Sequence, residues 1–273
     1  MHRSPHHIDR RTFISMSVVV PFVPHALING PAPQPVMSFD QYRYILDRYQ
    51  IDDLLPIIVD ACRRQQDVFP LEPEVEVALL RQESLFNLQA ISLAGAVGIA
   101  QFIPETAQDT FGMQVYVTDD YTEGVSLRNA FLEENRRVSA TLRNNQFKLV
   151  EKHKIQADKL KKQTERKFIR YKKDLETEIS KRNSAERIAL DQRLDPELAI
   201  NNGVRYLAGL CRTCVDRFRG SVRHNVLRGL AAYNAGLDQV FKFDGMPFIF
   251  QAVDYVRKIM VMYDQLIDMR KAR

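Results

Sequence analysis

One carboxylate in this chain stands where chemistry could be done. In ALLRQESLFNLQAISLAGAVGIAQFIPETA, residues 78–107, an apolar helical pattern runs into Glu83, a turn rich in Ser, Gly and Ala follows, and Gln101 comes after it. A carboxyl at the rim of an apolar helix is partly desolvated, and desolvation disfavours its charged form. Such a group can hold a proton near neutral pH and deliver it as a general acid, which is the requirement for cleaving a glycosidic bond. The plainer alternative is a solvated glutamate at a helix end, and Glu83 alone does not separate the two. Asp109, Asp119 and Asp120 are the nearest downstream acids, and no pattern promotes any of them to a second catalytic group.

A second stretch, AAYNAG, carries Tyr233 and Asn234. Read alone, Tyr233 is a core aromatic and Asn234 a helix C-cap before Gly236, whose freedom suits a left-handed turn. The three cysteines are Cys62, Cys211 and Cys214. Val204, Leu207, Cys211, Cys214 and Phe218 follow one helical face, so the CRTC pair reads as core packing. A redox pair would need a thioredoxin-like βαβ context, and zinc two further ligands at close spacing. Neither pattern is present, and no metal or cofactor is implied.

The elements that must position these residues are helical. The chain has 273 residues, 45% of them hydrophobic, enough for one substantial core with an appendage. Helical periodicity dominates from Ser38 onward and alternating strand-like runs are scarce, which predicts an all-α protein. Ser38 to Gln41 has capping-box spacing and opens a helix through about Tyr49; a second helix runs from Asp53 to Gln65. Pro73 opens a third, at a position proline favours. PETAQDTFG forms a short helix stopped by Gly112. Asp195-Pro196 starts a long helix reaching Phe218, the next ends at Gly236, and the last runs from about Phe248 to Arg270 with Val253, Val256, Ile259, Met260 and Tyr263 as its apolar face.

Between Val125 and Asp195 there is neither Gly nor Pro. These roughly seventy residues as one straight helix would be on the order of 100 Å long. Leu142 to Leu149 and Phe168 to Leu175 keep heptad spacing, although the register drifts between the pairs. Asn144-Asn145 and Asn183-Ser184 are the break points, and Asn183 to Glu186 has capping-box form. A protruding helical hairpin is expected. From Arg128 to Arg193 the chain holds 19 Lys and Arg against 10 Asp and Glu, so its formal charge is +9 and the rest of the chain supplies −4 of the net +5. The body of the protein therefore gives no electrostatic reason to expect a nucleic-acid partner. The hairpin reads as a solvated, salt-bridge-laced helical pair with no partner, as a docking arm for an envelope protein complex such as a secretion or conjugation machine, or as a clamp for an anionic polymer.

The N-terminus reads as an address. Arg10-Arg11-Thr12-Phe13 and the apolar run to Ile28, broken by Pro21 and Pro24, resemble a twin-arginine export signal and are too short and broken for a membrane span. The expected organisation is an export signal and linker over 1–37, a first part of a catalytic domain over 38–124, a basic helical arm over 125–194, and the second part of the domain over 195–273. A periplasmic or exported protein follows, with no stable membrane span after signal cleavage.

The two motifs together resemble the catalytic domain of the soluble-type lytic transglycosylases, bacterial enzymes of lysozyme-like fold that cleave peptidoglycan glycan strands. The resemblance rests on Glu83-Ser84, Ser92, Gly98-x-x-Gln101, Pro104-x-Thr106-Ala107 and Ala232-Tyr233-Asn234-Ala235-Gly236, in that order, and covers 71–111 and 195–263. It implies that Glu83 is the single catalytic acid and base, that the Tyr233 hydroxyl orients or stabilises its carboxyl, and that Ser92, Gln101 and Asn234 line the sugar cleft. One carboxyl rather than two implies cleavage between N-acetylmuramic acid and N-acetylglucosamine without water, closing a 1,6-anhydro ring. A muramidase-type hydrolase and a catalytically weak peptidoglycan-binding scaffold are the alternatives. The sequence departs from the family at Ala100, where methionine is usual, and at Gln251, where the family often has Glu-Thr-Arg beginning. Gln251 keeps a hydrogen-bonding amide for substrate binding but not the charge.

Overall fold

The computed structural model describes residues 39–144, 146–247 and 250–273. The expected export signal and linker, and Ser38 of the first capping box, lie outside the described residues. After a 3-10 turn at Phe39–Tyr42 come α1 (Arg43–Tyr49), α2 (Leu55–Arg64), α3 (Pro73–Ser84), a π-helical turn (Thr106–Thr110), α4 (Asp119–Arg143), α5 (Phe147–Ser180), α6 (Ser184–Leu190), α7 (Pro196–Phe218), α8 (Val222–Ala235), α9 (Leu237–Lys242) and α10 (Phe250–Lys271). Extended pairing among the described residues is limited to isolated bridges, Ile91 to Val97 and Val97 to Phe102. The fold is all-α.

The helix starts are local chemistry. Asp195 accepts from the Leu198 amide with Pro196 as first helical residue, Ser221 accepts from His224, and Asn183 with Glu186 forms a reciprocal capping box, each satisfying amides that a helix start leaves orphaned. The main core joins α1, α2, α3, α7, α8 and α10. Cys211 and Cys214 are buried within it with free thiols; desolvation pushes both thiols up, Cys214 to about 12, so neither is a thiolate near neutral pH. A Cβ on Gly229 would lie 2.3 Å from the Cys211 sulfur, so that glycine lets α8 close on α7. At the edge of this core Arg270 of α10 bonds the buried Glu74 of α3 at 2.9 Å, and the Tyr44 hydroxyl donates to the same carboxylate.

α4 and α5 pack along each other as an antiparallel hairpin, roughly 37 and 51 Å long at 1.5 Å per residue. The boundary expected at 124/125 falls inside α4, which is continuous from Asp119 to Arg143. The seam differs from the expected register. Val150, Ala157, Thr164 and Tyr171, each seven apart, are buried residues of α5, joined by Phe168, Leu175 and Ile179. Leu142 and Leu149, which also keep heptad spacing, are 45% and 43% exposed. The two stand on different helices, Leu142 at the end of α4 and Leu149 at the start of α5, so they share no helical face, and along the seam α4 buries Arg128, Glu134 and Thr141. Glu134 bonds His153 at 3.1 Å across the pair, so polar groups set the register.

The base of the hairpin is fastened to the loop carrying the first motif. Tyr121, Phe168, Tyr171, Leu175 and Ile179 pack with Val97 and Leu194 in a second core. Through it runs a wholly buried ion pair, Asp191 with Arg193 at 2.6 Å. The Arg193 guanidinium also donates to the carbonyls of Gly95 and Phe102 and to the Tyr171 hydroxyl, at 2.9, 3.1 and 3.1 Å. Burial alone would push its pKa down; the Asp191 carboxylate more than reverses this. A Cβ on Gly98 would stand 1.9 Å from the Arg193 carbonyl oxygen, and Gly98 has φ +76°, so the approach of 193 to the loop requires glycine there on both counts.

Candidate active site

Glu83 occupies the last turn of α3 and is partly exposed. The Ser84 hydroxyl turns back to the Leu80 carbonyl at 3.1 Å. The chain then leaves the helix through two successive non-glycine residues in the left-handed region, Leu85 at φ 55° and Phe86 at φ 63°. Gln101 is a third, at φ 53°. Such conformations are uncommon for these residue types and persist only where surrounding structure enforces them.

The Tyr255 hydroxyl of α10 donates to Glu83 Oε1 at 2.5 Å. Tyr255 is the donor that the motif reading misses, since it expects Tyr233 there. The Tyr233 hydroxyl donates to the Ala100 carbonyl at 2.9 Å, so Tyr233 holds the peptide that leads into Gln101. Gln251 stands one turn before Tyr255 on α10, and its Oε1 is buried with no hydrogen-bond partner among the described residues.

The loop after α3 is held by its own polar groups. The Ser92 hydroxyl accepts from the Ala96 amide at 2.9 Å, closing the small-residue turn. Gln101 is 8% exposed; its amide nitrogen donates to the carbonyls of Ala90 and Gly98 at 2.9 and 2.7 Å. Both N–H groups are therefore engaged with backbone, and only Oε1 is left to meet a ligand. Phe102 packs against Phe111, Tyr206 and Tyr233, with centroids 5.0, 6.2 and 6.2 Å apart, so an aromatic wall supports the loop from below. Asn234 lies half-buried in the last turn of α8, which Gly236 caps at φ 85°. The structure brings Glu83 to Tyr255, and Gln101 to Tyr233 through Ala100. Ser92 sits at the far turn of the same loop.

A second carboxyl lies under this site. Glu76, two turns before Glu83 on α3, is wholly buried, and neither of its carboxyl oxygens has a hydrogen-bond partner among the described residues. A Cβ on Gly203 of α7 would lie 3.1 Å from Glu76 Oε1, 3.6 Å from the Ala100 Cβ and 4.0 Å from the Tyr233 hydroxyl. The Glu76 carboxyl and the small side chain of Ala100 thus both lie against Gly203, a packing that the sequence leaves open. Desolvation, with Glu83 as a further like charge, pushes Glu76 up to about 8. Near neutral pH it is a neutral acid in the core, out of reach of substrate.

An all-α domain with a partly exposed glutamate at a helix end, held by a tyrosine from the last helix, is the class of site that the structure defines. The chain matches the family described as Transglycosylase SLT domain over residues 60–127 and 176–245, together just over half of the 273 residues, and it belongs to that family. The domain is therefore of the lytic transglycosylase type, cleaving glycosyl bonds of peptidoglycan. The two matched stretches contain Glu83, Ser92, Gln101, Tyr233 and Asn234; residues 128–175, most of the hairpin, lie between them. No solved structure matched the chain.

Proposed function

We propose that the protein cleaves the β-1,4 bond between N-acetylmuramic acid and N-acetylglucosamine without water, leaving 1,6-anhydro ends. The observation that carries this reading is Glu83, a partly exposed carboxyl at the end of α3 gripped by Tyr255 at 2.5 Å. Its carboxylic acid protonates the bridging oxygen as the bond to muramyl C1 breaks, with the sugar's own N-acetyl group supporting the positive charge that develops. The carboxylate formed then takes the proton of the muramyl C6 hydroxyl, whose oxygen bonds to C1. One residue thus serves as acid and then base, and it ends protonated as it began.

Glu76 does not supply the second carboxylate that a hydrolase of the usual kind needs, because it is buried and neutral. Tyr255 fixes the rotamer of Glu83, Tyr233 fixes the Ala100 to Gln101 peptide, and the Gln101 Oε1, Ser92 and Asn234 are the polar groups offered to the glycan. A substrate outside the cytoplasmic membrane agrees with export through the Arg10-Arg11 signal. Mass spectrometry of cell-wall digests tests the reaction: anhydromuramyl products are expected, and products with ordinary reducing ends would replace this reading with a muramidase.

A further inference from the structure

The hairpin pairs its charges unevenly. Near its base Lys167 bonds Asp120 and Glu123 at 2.7 and 2.5 Å, and Lys172, Lys181 and Arg182 each have a glutamate. One face of α5 has none of this. Positions 148, 152, 155, 159, 162, 166, 169 and 173 alternate steps of four and three and so lie along one side of the helix. The residues there read Lys, Lys, Ile, Lys, Lys, Arg, Ile, Lys. All eight are exposed, and none of the six cations has an ion-pair partner among the described residues. The exposed α5 acids Glu151, Asp158 and Glu165 form the adjoining row, three or four residues from Lys148 and Lys162, and Glu176 ends the basic row three residues after Lys173. The buried seam of 150, 157, 164 and 171 faces α4, which turns the basic row outward. Its span is roughly 38 Å.

We propose that this outer face of α5 docks the protein flat on the anionic phospholipid headgroups of a bilayer, with Ile155 and Ile169 entering the headgroup layer. Cations at one-turn spacing on a straight rod match a plane of negative charge, and lysines near such a surface add their attractions. The two isoleucines, 63% and 51% exposed, decide between lipid and a linear polyanion. An apolar side chain gains from the acyl boundary and gains nothing from a sugar-phosphate chain, whose binding is carried by counterion release. A second copy is disfavoured, since the row would oppose its own charge. No helix among the described residues is long and apolar enough to cross a membrane.

The test is co-sedimentation of the full chain with vesicles of phosphatidylcholine containing 30% phosphatidylglycerol, beside pure phosphatidylcholine and a DNA duplex as competitor. Binding to the anionic vesicles is expected, weakening steeply with salt. A triple variant, Lys152→Gln with Lys159→Gln and Arg166→Gln, is expected to bind about 100-fold more weakly, at about fivefold per cation. Ile155→Ser with Ile169→Ser is expected to weaken vesicle binding severalfold and leave DNA binding unchanged. Both variants should keep helical circular dichroism and cleave soluble glycan fragments at the parent rate. Equal binding to neutral vesicles, indifference to the triple variant, or full affinity in the isoleucine variant would each overturn the proposal. None of these outcomes bears on the Glu83 chemistry, which is read from the digest products.

Discussion

Glu76 and Glu83 stand seven residues apart on α3 and meet opposite environments. Glu83 is at the helix edge with a tyrosine on its carboxyl. Glu76 is sealed in the core with both oxygens unpartnered. Position two turns along one helix is thus enough to leave one carboxyl partly exposed and held by a tyrosine and the other sealed without a partner. The Asp191–Arg193 pair completes the contrast. It is equally buried, but every charge in it is answered. An unpartnered buried acid escapes its desolvation cost by staying protonated; a paired one has that cost offset by its partner's opposite charge.

Exchanging the two glutamates for glutamine sharpens the comparison most. Glu83→Gln keeps the shape and removes the proton, and glycan cleavage is expected to fall about 1,000-fold or more, measured as release of soluble muropeptides. Glu76→Gln in the same assay is expected to stay within severalfold of the parent. Equal losses would mean that Glu76 takes part in proton transfer, and retained activity in Glu83→Gln would remove the acid assignment.

The buried pair gives the next largest effect. Arg193→Met leaves the buried Asp191 carboxyl without its partner and removes the donor from the carbonyls of Gly95 and Phe102. A loss of about 3–5 kcal/mol in unfolding free energy is expected, read from denaturant midpoints. A loss under about 1 kcal/mol would show that the pair is not the clasp between arm and loop.

Glu76 itself supplies a smaller effect with a distinctive sign. Its pKa is about 8 in the folded chain against an ordinary 4.5. Between these values the folded protein holds a proton that the unfolded chain has released, so raising the pH favours unfolding. The slope for this one group approaches 1.4 kcal/mol per pH unit in that window. Glutamine has no such slope. Glu76→Gln is therefore expected to gain on the parent between pH 5 and 8 and to gain no more above it. Parallel stability curves for the two proteins would mean that Glu76 is partnered after all.

What the sequence made legible follows from range. Helix starts at Asp195 and Asn183 are read correctly because a cap is made by residues three apart. Glu83, Ser92 and Gln101 are read together because one short loop carries them. The contacts that complete the site span the chain: Tyr255 lies 172 residues from Glu83 and Arg193 lies 98 from Gly95, and no local pattern announces such pairs. Glu76 is concealed differently, since EVEVALL looks like acids in a solvated first turn while the structure buries both Glu74 and Glu76 completely. In the hairpin, Leu142 and Leu149 keep heptad spacing in the sequence, but the break between α4 and α5 puts them on different helices, and both are exposed.

Tyr255→Phe is the mildest way to break the contrast between the two glutamates. Phenylalanine keeps the ring in the α10 core and deletes only the donor on Glu83 Oε1. A hydrogen bond to a group that becomes charged during turnover is worth about 1.5–3 kcal/mol, so kcat is expected to fall at least about tenfold. KM should hold, because Tyr255 is placed on the carboxyl and not on the glycan. Stability should change by no more than about 1 kcal/mol. A variant with unchanged kcat would show that Glu83 keeps its working rotamer without Tyr255, leaving partial exposure as the only property that sets it apart from Glu76.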